Sequence, residues 1–96
     1  MGIKKIRRAV REDRFEYSVH ALEEMDEEMD EDNLTEEDVR AAILQGTLIA
    51  ELSDDPRGLR FVVQGMAKTV DCELEVVCRF LPSGLMRIIT VYALKE

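Results

Sequence analysis

Apolar residues at helical spacing predict helices in the first half of the chain. Ile3, Ile6 and Val10 fall on one side of a short helix, and basic residues occupy the rest of its surface. A second helix is predicted over residues 18–30, with Ser18 as its N-cap. Its predicted core stripe consists of Val19, Leu22, Met25 and Met29.

A third helix is predicted over residues 35–45, with Thr35 as its N-cap. Its first turn is acidic, which suits the positive end of the helix dipole. These acidic residues are Glu36, Glu37 and Asp38. Its predicted core residues are Val39, Ala42 and Ile43. We expect Gly46 to end the helix in the left-handed conformation, which glycine adopts without steric cost.

From residue 47 the apolar pattern changes to the alternation that is typical of strands. Four strands are predicted, over residues 47–52, 59–65, 73–81 and 85–94. Clusters of turn-forming residues separate the first strand from the second and the third from the fourth. The last strand is apolar on both sides, as expected of a central strand.

Helices followed by a run of strands predict an α+β fold. We expect the N-terminal helices to pack on one face of a four-stranded antiparallel sheet. A chain of 96 residues suits one domain, so residues 1–96 should form it, with a core over about 15–94. The residues expected to be buried are Leu22, Met25, Val39, Ile43, Phe61, Val63, Val76, Cys78 and Ile88.

Charge is unevenly distributed along the chain. The formal charge of −8 divides into +3 over residues 1–22, −11 over 23–38 and 0 over 39–96. The segment 23–38, called the acid run below, contains eleven acidic residues and no basic one. Like charges at this density cost helix stability, so a basic partner surface would relieve the repulsion. The basic first helix, in the same chain or in a second copy, is one candidate for that surface.

Composition argues against several classes of protein. No apolar run approaches the roughly 20 residues that a bilayer span requires, so we expect no membrane association. No apolar stretch follows the basic N-terminal residues, so we expect no signal peptide. Cys72 and Cys78 do not resemble a disulfide framework, which favours a reducing compartment and a cytoplasmic location. His20 has one-turn spacing with Glu23 or Glu24, but no second ligand motif accompanies them, so we expect neither a metal nor another cofactor.

A set of spaced motifs resembles a known family. The matching residues are Tyr17-Ser18-Val19-His20-Ala21-Leu22-Glu23-Glu24-Met25, Leu34-Thr35-Glu36-Glu37-Asp38-Val39, Ala42-Ile43, Gly46, Asp54-Asp55-Pro56, Arg60, Gly65 and Arg87-Ile88-Ile89-Thr90-Val91-Tyr92. They resemble the small prokaryotic proteins grouped as domain of unknown function 4258, over about residues 15–94. More distantly, the chain is similar to the BrnT and RelE type toxins of toxin–antitoxin pairs.

The resemblance implies a RelE-like fold and metal-independent RNA cleavage, in which a ribose 2′-hydroxyl attacks the adjacent phosphate. In that chemistry His20 would transfer a proton and Arg60 would bind the phosphate, while Thr90 and Tyr92 would position the substrate. The chain departs from the pattern it resembles at Glu24 and Glu28, where basic residues are expected.

Arginines on the strands are the candidate phosphate ligands. Arg60 and Arg79 lie on the outward sides of their strands and would share the helix-free face of the sheet, where a pair of arginines suits an anion. Arg87 is a third candidate. The alternative is a solvated face whose charges discourage edge pairing.

The catalytic candidates also have structural alternatives. His20 would then be a surface or capping residue. Thr90 and Tyr92 would be ordinary strand formers.

Three functions remain open from the sequence. The first is a toxin-like RNA-processing domain, an endoribonuclease paired with an antitoxin-like protein. The second is a non-catalytic protein-interaction module with the same fold. The third is a small structural or regulatory protein that self-associates through its basic helix and its acid run. RNA binding must be local, because the acidic chain as a whole repels RNA at long range.

Overall fold

A computed structural model describes residues 2–32 and 35–94, together with the side chains of all of these except residues 27–32. The described residues form three helices and five strands. The helices are α1 (Gly2–Arg11), α2 (Val19–Asp32) and α3 (Glu36–Gln45). The strands are β1 (Phe15–Tyr17), β2 (Thr47–Leu52), β3 (Arg60–Met66), β4 (Glu73–Phe80) and β5 (Met86–Leu94). The α+β class is confirmed. None of the described helices has the length and apolar character needed to cross a bilayer.

The sheet differs from the prediction by one strand. Its order is β1-β5-β4-β3-β2, and the four predicted strands pair antiparallel. The additional strand, β1, pairs parallel with β5. Three residues are too few for alternation to be visible in the sequence, and β1 exists because β5 supplies its hydrogen-bond partners. A purely antiparallel four-stranded sheet is therefore wrong.

All three helices pack on one face of the sheet, called the covered face below. There α3 packs on β3 and β4, α2 on β5 and β1, and α1 on α3 and β2. The core includes Ile6, Ala9, Val10, Ala21, Met25, Val39, Ala42, Ile43, Phe61, Val63, Leu74, Val76, Cys78, Met86, Ile88 and Val91. Eight of the nine residues predicted to be buried are among them. Alternation in the strands places the remaining side chains on the opposite, helix-free face, called the open face below.

Leu22 is the exception, because α2 is rotated relative to its predicted orientation. Leu22 is 52% exposed and Val19 is 73% exposed, whereas Ala21 and Met25 are buried. Met29 lies outside the described side chains. The rotation follows from two anchors that hold α2 beside β5, at Ser18 and at Glu24. Ser18 is the N-cap, as predicted, since the Ala21 backbone N–H donates to its Oγ at 3.0 Å.

A carboxylate fixes the start of α3. The Thr35 backbone N–H donates to Asp38 Oδ2 at 2.8 Å, and the Asp38 N–H donates to Thr35 Oγ1 at 3.3 Å, which completes a capping box. Asp38 is fully buried and also accepts hydrogen bonds from the backbone N–H groups of Lys68 and Thr69, at 3.0 and 2.7 Å. It therefore ties α3 to the connection between β3 and β4.

Gly46 ends α3 in an extended conformation (φ −84°, ψ −177°), so the predicted left-handed conformation is wrong. Glycine is required there by close packing. A Cβ on Gly46 would lie 2.3 Å from the Ala42 carbonyl oxygen and 2.6 Å from that of Gln64. Gly65 has the same role, since its Cβ would lie 2.1 Å from the Ala42 oxygen. The two glycines let α3 approach β3 closely.

Candidate functional site

The strand register places three predicted phosphate ligands in one row on the open face. Arg79 lies directly opposite Arg87 in the β4–β5 pair. Phe61 lies opposite Cys78, so Arg60, one residue before Phe61, is the neighbour of Arg79 on the other side. Adjacent strands are about 4.8 Å apart, so the row Arg60–Arg79–Arg87 spans about 10 Å between its outer Cα atoms. We call it the arginine row.

Every member of the arginine row has a carboxylate partner. Arg60 donates to Asp54 Oδ1 at 2.9 Å, and its Nε lies 3.8 Å from Asp55 Oδ2. Arg87 donates through Nε to Glu16 Oε2 at 2.8 Å. Arg79 Nη1 lies 3.5 Å from Asp55 Oδ2. The row is therefore an ordered set of ion pairs.

Asp55 is the centre of this arrangement. Its side chain is 8% exposed, and that of Arg79 is 9% exposed. Asp55 Oδ1 accepts the backbone N–H of Arg57 at 2.9 Å, and Arg57 Nη2 donates to Oδ2 at 3.1 Å. The hydrogen bonds from the Arg57 side chain and backbone lower the pKa of Asp55 to about 2. The turn before β3 thus holds a permanent negative charge among three arginines.

A bulge in β5 places Thr90 and Tyr92 on the same open face. Ile88 pairs with Cys78 and Thr90 with Val77, so the register shifts between them and Ile89 is the additional residue. Ile88 consequently faces the core, whereas Thr90 faces away from it. Uninterrupted alternation would place Ile88, Thr90 and Tyr92 on one face of β5. Because of the bulge, Ile88 lies on the opposite face from Thr90 and Tyr92.

Tyr92 is hydrogen-bonded to an acidic neighbour on β4. Its hydroxyl donates to Glu75 Oε1, and the two residues are paired in the register. That hydrogen bond, with burial and the charges of Glu75 and Glu24, raises the pKa of Tyr92 to about 12. Tyr92 keeps its proton at neutral pH, so it can act there as a hydrogen-bond donor.

His20 lies at the edge of β5, on α2. Strand β1 ends opposite Ile88, and beyond that point α2 side chains replace it as partners of β5. Ser18 Oγ donates to the Ile89 carbonyl at 3.0 Å, and the Val91 N–H donates to Glu24 Oε1 at 3.1 Å. His20 Nε2 lies 3.4 Å from the same Glu24 oxygen. His20 itself is exposed.

The sequence patterns assigned no role at this site to Asp55 and Glu75, and they predicted a basic residue at the position of Glu24. In its place, Glu24 accepts a hydrogen bond from the backbone of β5 and lies beside His20. Asp55 and Glu75 hold Arg79 and Tyr92. The Asp54-Asp55-Pro56 turn, four residues before Arg60, was a visible signal for Asp55, whereas Glu75 depends on a register that only the folded sheet defines. The side chain of Glu28 lies outside the described residues.

One comparison with known proteins gives a match. The family described as Domain of unknown function (DUF4258) matches residues 17–93, which is most of the chain. The chain belongs to the DUF4258 family. No curated protein and no solved structure matches it. The match begins at Tyr17, so α1 and the first two residues of β1 precede the DUF4258 region.

The DUF4258 region therefore carries the whole arginine row with Thr90, Tyr92 and His20. Arginine side chains fit carboxylate and phosphate oxygens equally well, since both are planar or tetrahedral anions that accept two parallel N–H bonds. Among the described side chains, no group of three or more histidine, cysteine or acidic residues is arranged to hold a metal ion.

Proposed function

We propose that this protein is a toxin-like RNA-processing domain with a RelE-like fold, a metal-independent endoribonuclease of a cytoplasmic toxin–antitoxin-like system. The observation that supports the proposal is the arginine row, which is aligned on one face with Thr90 and Tyr92 beyond it on β5. Cations that stabilise the charge developing on a phosphoryl group are a large part of catalysis in such a site.

The chemistry assigns each group a role. The ribose 2′-oxygen bonds to the adjacent phosphorus while the bond from phosphorus to the 5′-oxygen of the next nucleotide breaks. The products are a 2′,3′-cyclic phosphate and a 5′-hydroxyl end. His20 takes the proton of the 2′-hydroxyl, and a water molecule donates the proton that the leaving 5′-oxygen takes up. Arg60, Arg79 and Arg87 bind the phosphoryl oxygens, Tyr92 donates a hydrogen bond, and Thr90 positions the ribose.

The test is cleavage of single-stranded RNA by the purified protein, with and without ribosomes and in the presence of a chelator. We expect products with 2′,3′-cyclic phosphate ends. Arg60→Gln should lower the rate by about 100-fold or more, the scale seen when one oxyanion-stabilising donor is removed. Arg40→Gln is the matched control, because Arg40 is also bonded to an acid (Asp13, 2.6 Å) and has similar side-chain exposure, 30% against 29% for Arg60.

A second candidate is a non-catalytic interaction module. It is favoured by the exposure of Val19 and Leu22 on α2 beside the acidic residues Glu23 and Asp26. Such a surface suits a basic, partly apolar segment of an antitoxin-like partner. Absence of RNA cleavage, with binding of the genomically adjacent protein that is lost in Leu22→Ser, would support this candidate against the enzyme.

Self-association is the third candidate. Among described side chains, Lys68–Glu37 and His20–Glu24 are the only ion pairs that the acid run makes. Since none of these pairs involves α1, the third candidate is that the basic surface of α1 contacts the acid run of a second copy. A dimer fraction that falls with added salt in sedimentation would support this contact, because exposed charges are screened over about 8–10 Å at physiological salt.

A further inference from the structure

The cations of this protein fall into two groups. Outside α1, every described lysine and arginine lies within 4 Å of a carboxylate. They are Arg14, Arg40, Arg57, Arg60, Lys68, Arg79 and Arg87. On α1, none of the five basic residues has a carboxylate partner among the described side chains. They are Lys4, Lys5, Arg7, Arg8 and Arg11.

The α1 cations form a continuous surface. Lys4, Arg8 and Arg11 are exposed at i, i+4 and i+7, so they follow one side of the helix at axial steps of about 6 and 4.5 Å. With Arg7 and Glu12 they line a concavity of about 500 Å³. Glu12 is the one acid in that lining, and its nearest basic partner is Arg14, at 3.9 Å.

The same surface extends to the β4–β5 turn. A second concavity, of about 210 Å³, shares Arg8 and Glu12 with the first and is lined also by Phe80 at the end of β4 and by Gly84 of the β4–β5 connection. Phe80 pairs with Met86, and the next pair in the register is Arg79 with Arg87. One end of the sheet therefore carries α1 cations on its covered side and the arginine row on its open side.

The composition of this surface favours nucleic acid over protein as its ligand. The apolar residues Ile6, Ala9 and Val10 of α1 are buried in the core, so the outer side of the helix offers no apolar anchor. Protein interfaces depend on such anchors. Protein–nucleic acid interfaces are more polar and much more positively charged, and unpaired arginines suit phosphate.

We propose that α1 is a docking surface for the phosphate backbone of single-stranded RNA. The bound RNA strand runs from α1 around the β4–β5 turn to the arginine row. This inference rests on the proposed function for the RNA substrate. It assigns attraction and cleavage to different cations. The α1 cations, which have no carboxylate partner among the described side chains, bind the strand, and the carboxylate-paired cations on the open face contact the reacting phosphate.

The experiment measures binding separately from cleavage. The probe is a fluorescently labelled single-stranded RNA of about 20 nucleotides in which every ribose is 2′-O-methylated, so that it has no 2′-hydroxyl to attack. Fluorescence anisotropy is recorded across a range of salt concentrations. The test variant is Arg8→Gln/Arg11→Gln, and the matched control is Arg40→Gln/Lys68→Gln, which removes the same net charge from carboxylate-paired positions.

We expect the α1 variant to bind about tenfold more weakly than the native protein at moderate salt. The slope of log K against log salt should fall by about 1.4, since each phosphate contact to a single strand contributes about 0.7. The control should retain the native slope. Equal losses in both variants, or no binding by the native protein, would overturn the inference. If a synthetic peptide of residues 23–38 displaces the RNA and its binding depends on Arg8 and Arg11, then the ligand of α1 is an acidic protein segment and not RNA.

Cleavage of unmodified RNA separates the two proposals. If the native protein cleaves RNA but the α1 variant keeps the native salt slope, the docking inference fails and the proposed function stands. If the native protein binds through α1 but cleaves nothing, the docking surface stands and the endoribonuclease fails.

Discussion

The two faces of the sheet differ in what holds them together. On the covered face, neighbouring side chains are apolar and fully buried against three helices, as at Val63, Val76 and Ile88. On the open face, several neighbours are polar or charged and bonded to one another, as Arg79 is to Asp55 of the turn before β3 and Tyr92 is to Glu75 on the neighbouring strand. Burial of apolar area stabilises folds strongly. An exposed ion pair contributes little, and a buried pair such as Arg79–Asp55 sets its attraction against the cost of removing both charges from water. We infer that the covered face provides most of the stability, and the open face carries the residues of the proposed chemistry.

The carboxylates of Asp38 and Asp55 show the same difference between the two faces. Asp38 belongs to the covered side and is held by neutral donors of Thr35, Lys68 and Thr69. Burial alone would raise the pKa of Asp38, but the hydrogen bonds from Thr69 and Thr35 outweigh it and lower the pKa. Asp55 belongs to the open face and is held by arginines. Asp38 joins two segments of the fold, and Asp55 keeps cations in position.

The largest expected effect is on the covered face. Ile43 is fully buried, so Ile43→Ala should lower the free energy of unfolding by about 2–5 kcal/mol through lost burial and a residual cavity. Urea denaturation followed by circular dichroism measures it. Leu22→Ala is the matched control, because Leu22 is half exposed and its truncation should change stability by about 0.5 kcal/mol or less. Equal losses in the two variants would contradict the observed orientation of α2.

A smaller effect is expected at Asp38. In Asp38→Asn the amide nitrogen replaces an acceptor, so buried N–H donors lose a partner and the free energy of unfolding should fall by about 1–3 kcal/mol. Because folding lowers the pKa of Asp38, its contribution is fully present above the unfolded pKa near 3.9. It is lost as pH falls through the folded pKa.

The stability difference between native protein and Asp38→Asn should therefore be constant near neutral pH and shrink below about pH 4. Urea midpoints across this range measure the difference. A stability difference that widens on acidification would mean that Asp38 is protonated in the native protein, and its role in tying α3 to the β3–β4 connection as a carboxylate would be wrong.

The smallest effect is expected at Tyr92. Glu75→Gln should lower the pKa of Tyr92 from about 12 towards its usual value, because it removes the carboxylate that accepts the phenolic proton. The ultraviolet absorbance of tyrosinate during alkaline titration measures it, and stability should change by about 1 kcal/mol or less. Glu51→Gln, an exposed acid on β2, is the control. A titration identical to that of the native protein would remove Glu75 as the partner of Tyr92.

Local signals predicted much of the fold. Thr35 followed by three acids predicted the start of α3, and the capping box confirms it. Alternation at Leu74, Val76 and Cys78 predicted the buried side of β4. These patterns are readable because the helix cap and the strand period depend on residues a few positions apart.

Features that depend on distant residues were not predictable in the same way. Strand β1 forms only because β5 pairs with it, and the rotation of α2 depends on Glu24 binding the Val91 N–H. The alternation that placed Arg60 and Arg79 on the open face could not reveal that Asp55 binds both, because the turn must fold back over the sheet.

The central claim, that stability and chemistry are divided between the two faces, is tested most directly by measuring two quantities on each of two variants. The quantities are the single-turnover rate of RNA cleavage and the free energy of unfolding. For Arg60→Gln we predict a rate at least about 100-fold lower with stability changed by about 1 kcal/mol or less. For Ile43→Ala we predict the reverse, a near-native rate at temperatures where it remains folded and a loss of about 2–5 kcal/mol in stability. Parallel losses of rate and stability in both variants would contradict the division, as would a native cleavage rate in Arg60→Gln.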